Sequence, residues 1–129
     1  MDEKLKSQLI AASLAARQQA YAPYSKFLVG AAVLTDDGKV VAGANVENAS
    51  YGLTICAERV AATAAVAAGA RSITAVAIAT AGAASPCGAC RQVLAEFGGS
   101  MAVLLVDADD PSAVRTTTLD QLLPEQFEL

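Results

Sequence analysis

Three cysteines and a complete lack of histidine set the chemistry open to this chain. Cys56 is followed two positions later by Glu58, and Cys87 and Cys90 stand in the run Pro86-Cys87-Gly88-Ala89-Cys90. Without histidine there is no Ser-His-Asp triad, no Cys-His nucleophile pair and no His-based metalloprotease site. An odd number of cysteines with no recognisable export signal argues against a disulfide framework and towards metal binding or a reactive thiol. Cys87 and Cys90, three apart, share one helix face and can hold one ion between them. With Cys56 they would fill three corners of a tetrahedral zinc. A structural site closes with a fourth protein ligand, whereas a catalytic one keeps that place for a water whose pKa the metal lowers towards neutrality. Three thiolates leave the site net negative, so nearby positive charge is wanted, and Arg59 and two helix N-termini are candidates. Glu58 is the candidate proton carrier. Two residues apart on a regular helix means nearly opposite faces, so Cys56 must sit in the first, non-ideal turn. The residues alone leave three readings open: catalytic zinc, structural zinc closed by a carboxylate, or three unrelated buried cysteines.

The elements that must carry these groups follow from pattern. Asp2 caps a first helix running to about Ala20, with Leu5, Leu9, Ile10 and Leu14 on one face. Ala22-Pro23-Tyr24-Ser25 breaks it, and Phe27 to Leu34 reads as a buried strand. Asp36-Asp37-Gly38-Lys39 is a hairpin turn, Val40 to Val46 the returning strand, and residues 47–54 a loop. Ile55 to Ala68 reads as a helix ended by Gly69. From Val60 to Ala68 that helix is apolar on every face except at Thr63, so it is either central in one subunit or covered by another. Ile73 to Thr80 is a buried strand. Ser85 caps a further helix, with Pro86 in its first position, that runs to Phe97 before Gly98-Gly99. Met101 to Val106 is a strand, Asp109-Asp110-Pro111 a turn, and Leu119 to Leu123 a short helix. Helix, two strands, helix, strand, helix, strand gives one α/β layered domain over residues 1–129, with both cysteine groups at helix starts, where thiol pKa falls.

Composition narrows the partners. The chain has 129 residues, 54% hydrophobic and 17% charged, but aromatics are only 5% and much of the apolar content is alanine. Such a core needs close backbone approach or extra partners to bury enough area, which favours self-assembly. No apolar run is long enough to span a membrane, and no signal-peptide core follows Met1 to Lys6, so a soluble cytoplasmic protein is expected. With a net charge of −4 and nine basic residues scattered along the chain, a grip on a nucleic-acid backbone is disfavoured.

Cys-x-Glu paired with Pro-Cys-x-x-Cys is the zinc signature of nucleoside and nucleobase deaminases. Together with YAPYSKF (21–27), VGAA (29–32), NVENASYGLT (45–54), CAER (56–59), SPCGACRQ (85–92) and LLP (122–124), it makes the chain closely resemble the small, homotetrameric type of cytidine deaminase. The resemblance covers nearly the whole length and implies a three-layer α/β/α fold around a mixed sheet. It implies that Cys56, Cys87 and Cys90 bind one zinc ion per subunit and that Glu58 is the general acid and base. It also implies that Ala57 N–H and the Ser85 carbonyl hold the base edge, that Phe27 packs against the base, and that Asn45 and Glu47 bind the ribose 3′-hydroxyl. Ala49 and Tyr51 match positions reaching a neighbour's 5′-hydroxyl region, and Phe127 one that stacks on the base in a neighbouring site. Arg59 and Gln92 match positions that hydrogen-bond zinc-bound thiolates. The implied reaction is hydrolytic deamination of free cytidine and deoxycytidine in pyrimidine nucleoside salvage. Two alternatives are deamination of another aminopyrimidine nucleoside, such as blasticidin S, and a non-catalytic zinc-stabilised nucleoside-binding module.

Overall fold

In the computed structural model, which describes residues 1–129, ten elements form in the order helix α1 (Glu3–Arg17), strands β1 (Gly30–Thr35) and β2 (Val40–Ala44), a single 3-10 turn (Tyr51–Leu53), helix α2 (Ala57–Ala67), strand β3 (Ile73–Thr80), helix α3 (Gly88–Gly98), strands β4 (Ala102–Asp107) and β5 (Val114–Thr118), and helix α4 (Leu119–Leu122). The strands make one mixed sheet in the order β2-β1-β3-β4-β5. β1 is antiparallel to both β2 and β3, β4 is parallel to β3, and β5 is antiparallel to β4. A parallel pair cannot be joined by a tight turn, and α3 is the crossover that joins β3 to β4.

Alternation along the strands divides the core into two layers. On one face Leu9 of α1 packs with Ala32, Leu34, Ala75, Ala77, Ala79, Leu104 and Val106. On the other, Ala57, Ala61, Ala62 and Ala65 of α2 and Leu94 of α3 meet Ala31, Val33, Val76, Ile78, Val103 and Leu105. This is the expected three-layer α/β/α arrangement. Ile73 pairs with Thr35 while Ala75 pairs with Leu34, so Thr74 is an extra residue in a β-bulge. The bulge turns Ile73 to the α2 and α3 side and leaves Thr74 exposed.

At two glycines the layers approach to backbone contact. A Cβ on Gly30 would lie 2.0 Å from the Ser13 carbonyl oxygen and 2.4 Å from Arg17 N, where α1 crosses the start of β1. A Cβ on Gly43 would lie 2.6 Å from Ala61 N, where α2 crosses β2. Fully buried Leu9, Leu94, Leu104, Leu105 and Leu119 are among the largest side chains of the core, each roughly 1.5–3 kcal/mol of burial. The alanines contribute proximity rather than volume.

The structure corrects several expected boundaries. Asp2 does cap α1, accepting from Leu5 N at 2.8 Å, but the helix ends at Arg17, not Ala20. β1 begins at Gly30, because Lys26 turns the chain with φ 62 and residues 27–29 are held by the Asn45 side-chain amide, the Asn45 backbone N–H and Arg17. β5 was not anticipated from the sequence. It is a polar edge strand, Val-Arg-Thr-Thr-Thr, with no apolar alternation to announce it. No helix is long and apolar enough to cross a membrane.

Candidate active site

α2 and α3 start side by side on one face of the sheet, and each starts on a cysteine. Cys56 is the N-cap of α2 (φ −71, ψ 151) and Cys87 the N-cap of α3 (φ −67, ψ 166). Both helices therefore begin later than expected, and Ser85 is not a cap. Ile55 stays out of α2 because it exchanges both backbone hydrogen bonds with Val46, at 3.0 Å each. The extended N-cap conformation also resolves the facing of Cys56 and Glu58, since Cys56 lies outside the regular helix that Glu58 has entered. Cys90 is the third residue of α3, the position an N-cap side chain normally meets, so the Cys87 and Cys90 sulfurs come to 3.4 Å.

The three sulfurs lie within 4.8 Å of one another. Tetrahedral zinc with Zn–S near 2.3 Å requires sulfurs about 3.8 Å apart, so the cluster fits one such ion. No carboxylate oxygen joins the group, which counts against a site closed by Glu58. Arg59 Nη2 donates to Cys56 Sγ at 3.4 Å, and its Nε is buried without an acceptor. Hydrogen bonds to Cys56 and Cys90 hold the Arg59 pKa above its ordinary value. The hydrogen bond from Cys90, aided by Arg59, brings the Cys56 thiol from 9.0 down to about 5 against the effect of burial. Cys90 is pushed up, first by donating to Cys56 and then by its burial. Arg59 beside Cys56 thus favours the thiolate, the form that a metal ligand needs.

Beside the sulfurs lies a cavity of about 300 Å³ lined by Phe27, Asn45, Glu47, Cys56, Glu58, Ser85 and Cys87 among others. Glu58 is 4% exposed, and its pKa is raised first by that burial and then by the negative charge of Cys56. A divalent cation held by the sulfurs would offset part of that second cause. Ala57 is fully buried and, as the first residue of α2, has an N–H without an intrahelical acceptor. Phe27, 43% exposed, stands on the cavity wall rather than in the core. Asn45 accepts from Val29 N and donates to the Phe27 carbonyl, both at 2.9 Å, so it sets the wall that Phe27 stands on. Glu47 accepts from Tyr24 N at 2.9 Å, from Ser25 N at 3.1 Å and from Ser25 Oγ. The Ser25 hydroxyl is the main cause holding its carboxyl below the ordinary range.

Ala49, Tyr51, Phe127 and Gln92 line neither this cavity nor the sulfur cluster. Ala49 and Tyr51 are exposed, and Tyr51 makes an edge contact with Tyr24 at 5.9 Å between ring centroids. Phe127 is 70% exposed and lines a separate groove with Gln92, Glu96 and Gln126. The structure does not bring Gln92 to the thiols. It follows Cys90 by two residues, about 200° round the helix, and so faces away from them. Arg91, which received no role from the sequence, does reach the site through Ser85 and Pro86. Its partners are carbonyls and a hydroxyl in loops, which no residue pattern marks.

Comparison with known proteins agrees with this geometry. The family described as "Cytidine and deoxycytidylate deaminase zinc-binding region" matches residues 3–106. A cytidine deaminase of Sporosarcina psychrophila is 52% identical over 123 residues, covering 93% of this chain and 89% of that protein. The crystal structure of cytidine deaminase from Burkholderia pseudomallei superimposes with a TM-score of 0.89 at 49% identity, covering 98% of this chain and all of that one. That of the Mycobacterium tuberculosis cytidine deaminase gives 0.81 at 44% identity, covering 96% of this chain and 98% of that one. With its three cysteines gathered at two helix starts and a buried glutamate beside them, the chain belongs to the cytidine and deoxycytidylate deaminase zinc-binding family.

Proposed function

We propose that the chain hydrolyses free cytidine and deoxycytidine to uridine and deoxyuridine with release of ammonia, acting as one domain over residues 1–129 and using one zinc ion per subunit. The observation that carries this reading is the position of Glu58, almost wholly buried yet lining a nucleoside-sized cavity beside the three-sulfur cluster. A binding module has no use for a carboxyl placed there.

Cys56, Cys87 and Cys90 would hold the zinc, which when bound would make a water nucleophilic near neutral pH. Glu58 accepts a proton from the attacking water and delivers it to N3 of the pyrimidine as oxygen adds to C4. It then carries the second water proton to the leaving amine, so that one water and one nucleoside give ammonia and the 4-oxo product. Burial suits Glu58 to both transfers, because a raised pKa brings the carboxyl closer to the working pH. Ala57 N–H and the Ser85 carbonyl hold the base edge, Phe27 covers its face, and Asn45 and Glu47 bind the ribose 3′-hydroxyl. Glu47 arrives ionised and already fixed by the 24–25 turn. Arg59 balances the thiolate charge.

The subunit alone leaves Ala49, Tyr51 and Phe127 facing outward, together with exposed Tyr21, Tyr24, Leu53 and Ile55. A homotetramer whose neighbours supply Ala49, Tyr51 and Phe127 to each site accounts for that apolar rim. Three free cysteines suit a reducing compartment, supporting a cytoplasmic location. The test is ammonia release from cytidine alongside metal analysis, for the wild type and Glu58→Gln. We expect about one zinc in both proteins, with turnover lowered about 10²–10⁴-fold in the variant. Loss of zinc from Glu58→Gln would make the glutamate a ligand and overturn the mechanism.

A further inference from the structure

Arg91 lies one residue beyond Cys90 on α3, yet all three of its side-chain hydrogen bonds go to the chain on either side of that helix. Nε donates to the Pro86 carbonyl at 2.8 Å, Nη2 to Ser85 Oγ at 3.1 Å and Nη1 to the Leu122 carbonyl at 2.6 Å. The first two bracket the Ser85–Pro86 peptide unit. Proline has no N–H, so no backbone donor can fix that unit from its own nitrogen.

The rest of the loop offers little else. Residues 81–84 are Ala-Gly-Ala-Ala, with Gly82 at φ 78 and Ala83 at φ 54. Its leading end is held by Ala84 N donating to Thr80 Oγ1 at 2.6 Å and by Gly82 N donating to Asp107 at 3.1 Å. At the trailing end, the Ser85 hydroxyl and the Pro86 carbonyl are held by one guanidinium. The direction of the Ser85 carbonyl between them is thereby set. The third bond runs to the last residue of α4. Four residues further on, Gln126 donates to the Gly99 carbonyl at 2.7 Å, just before Phe127.

We propose that Arg91 is a positioning residue for base binding: it orients the Ser85–Pro86 wall of the pocket and ties that wall to the C-terminal segment carrying Phe127. The planar fork is needed because the three acceptors diverge, and a lysine ammonium at that distance from the backbone cannot satisfy them together. Arg91 touches neither the sulfurs nor the reacting atoms, so its effect falls on binding rather than on the chemical step. The proposal rests on the deaminase reading.

The test uses full-length, zinc-loaded Arg91→Ala and Arg91→Lys beside wild type, with KM and kcat for cytidine, zinc content and added guanidinium ion. We expect about one zinc per chain, KM raised about tenfold or more in Arg91→Ala, and kcat within about threefold. Guanidinium should partly restore KM in Arg91→Ala, with Arg91→Lys intermediate. If Arg91→Ala does not fold, the KM of Arg91→Lys decides alone. Wild-type turnover with variant KM unchanged, or a loss traced wholly to missing zinc, overturns the proposal. A zinc-loaded wild type that releases no ammonia overturns the deaminase reading, and this proposal with it.

Discussion

Cysteine is not a preferred helix N-cap, and here it fills that place twice. This is why the ligand set was legible while its local geometry was not. The spacing of Cys56, Cys87 and Cys90 pointed to one ion, but ordinary capping preference pointed to Ser85, two residues early. Arg91 was illegible for a different reason, since its longest-range acceptor lies 31 positions away. At this scale Arg59 should matter for metal chemistry more than for folding. Arg59→Gln is expected to lose about 10–100-fold in zinc affinity or kcat, with little change in thermal midpoint once zinc has been removed from both proteins. Chelator competition and a melting curve on the same sample check this, and an unchanged affinity and rate would remove its role. Glu47 gives a pH prediction. Its carboxyl is held below the ordinary 4.5 by the Ser25 hydrogen bond, so the ion-held 24–25 turn persists at pH 4.5 and is lost only as pH falls further. The amide resonances of Tyr24 and Ser25 should therefore titrate with a midpoint below 4.5. A midpoint at or above it would mean the turn does not depend on that carboxylate.

Among the elements, the long apolar strands and α1 could be read directly, because alternation and the Asp2 cap are local signals. β5 could not, since its Arg115 and three threonines are those of a solvated edge, and pairing with β4 rather than burial makes it a strand. Gly30 tests whether α1 and β1 meet at backbone contact. Gly30→Ala should destabilise by at least about 2 kcal/mol, since a rigid neighbour must move; denaturant melts that superimpose on wild type would show that the helix can yield. The metal cluster joins the starts of α2 and α3, which are otherwise separate in sequence. Removing zinc with a chelator should lower the melting temperature by about 5 °C or more, reversed by added zinc.

For the whole molecule, the proposed homotetramer, which would cover the exposed rim of Tyr21, Tyr24, Tyr51, Leu53 and Ile55, predicts a mass of four times the 13.0 kDa chain in sedimentation. Leu53→Asp should shift that mass downward and reduce kcat/KM together, because in the proposed assembly the separated subunit would lack the residues its neighbours supply. A monomeric, fully active wild type would end the tetramer reading. The alanine-lined contact beneath α1 has its own consequence for how this protein tolerates change. Ala32, Ala75, Ala77 and Ala79 have almost nothing to lose by truncation to glycine beyond backbone freedom, but no room for a larger side chain. Variation in this layer is therefore one-sided. A library scored for folding should accept smaller residues there at modest penalty and reject valine or leucine, the reverse of the pattern at Leu94 and Leu105, where loss of volume does the damage.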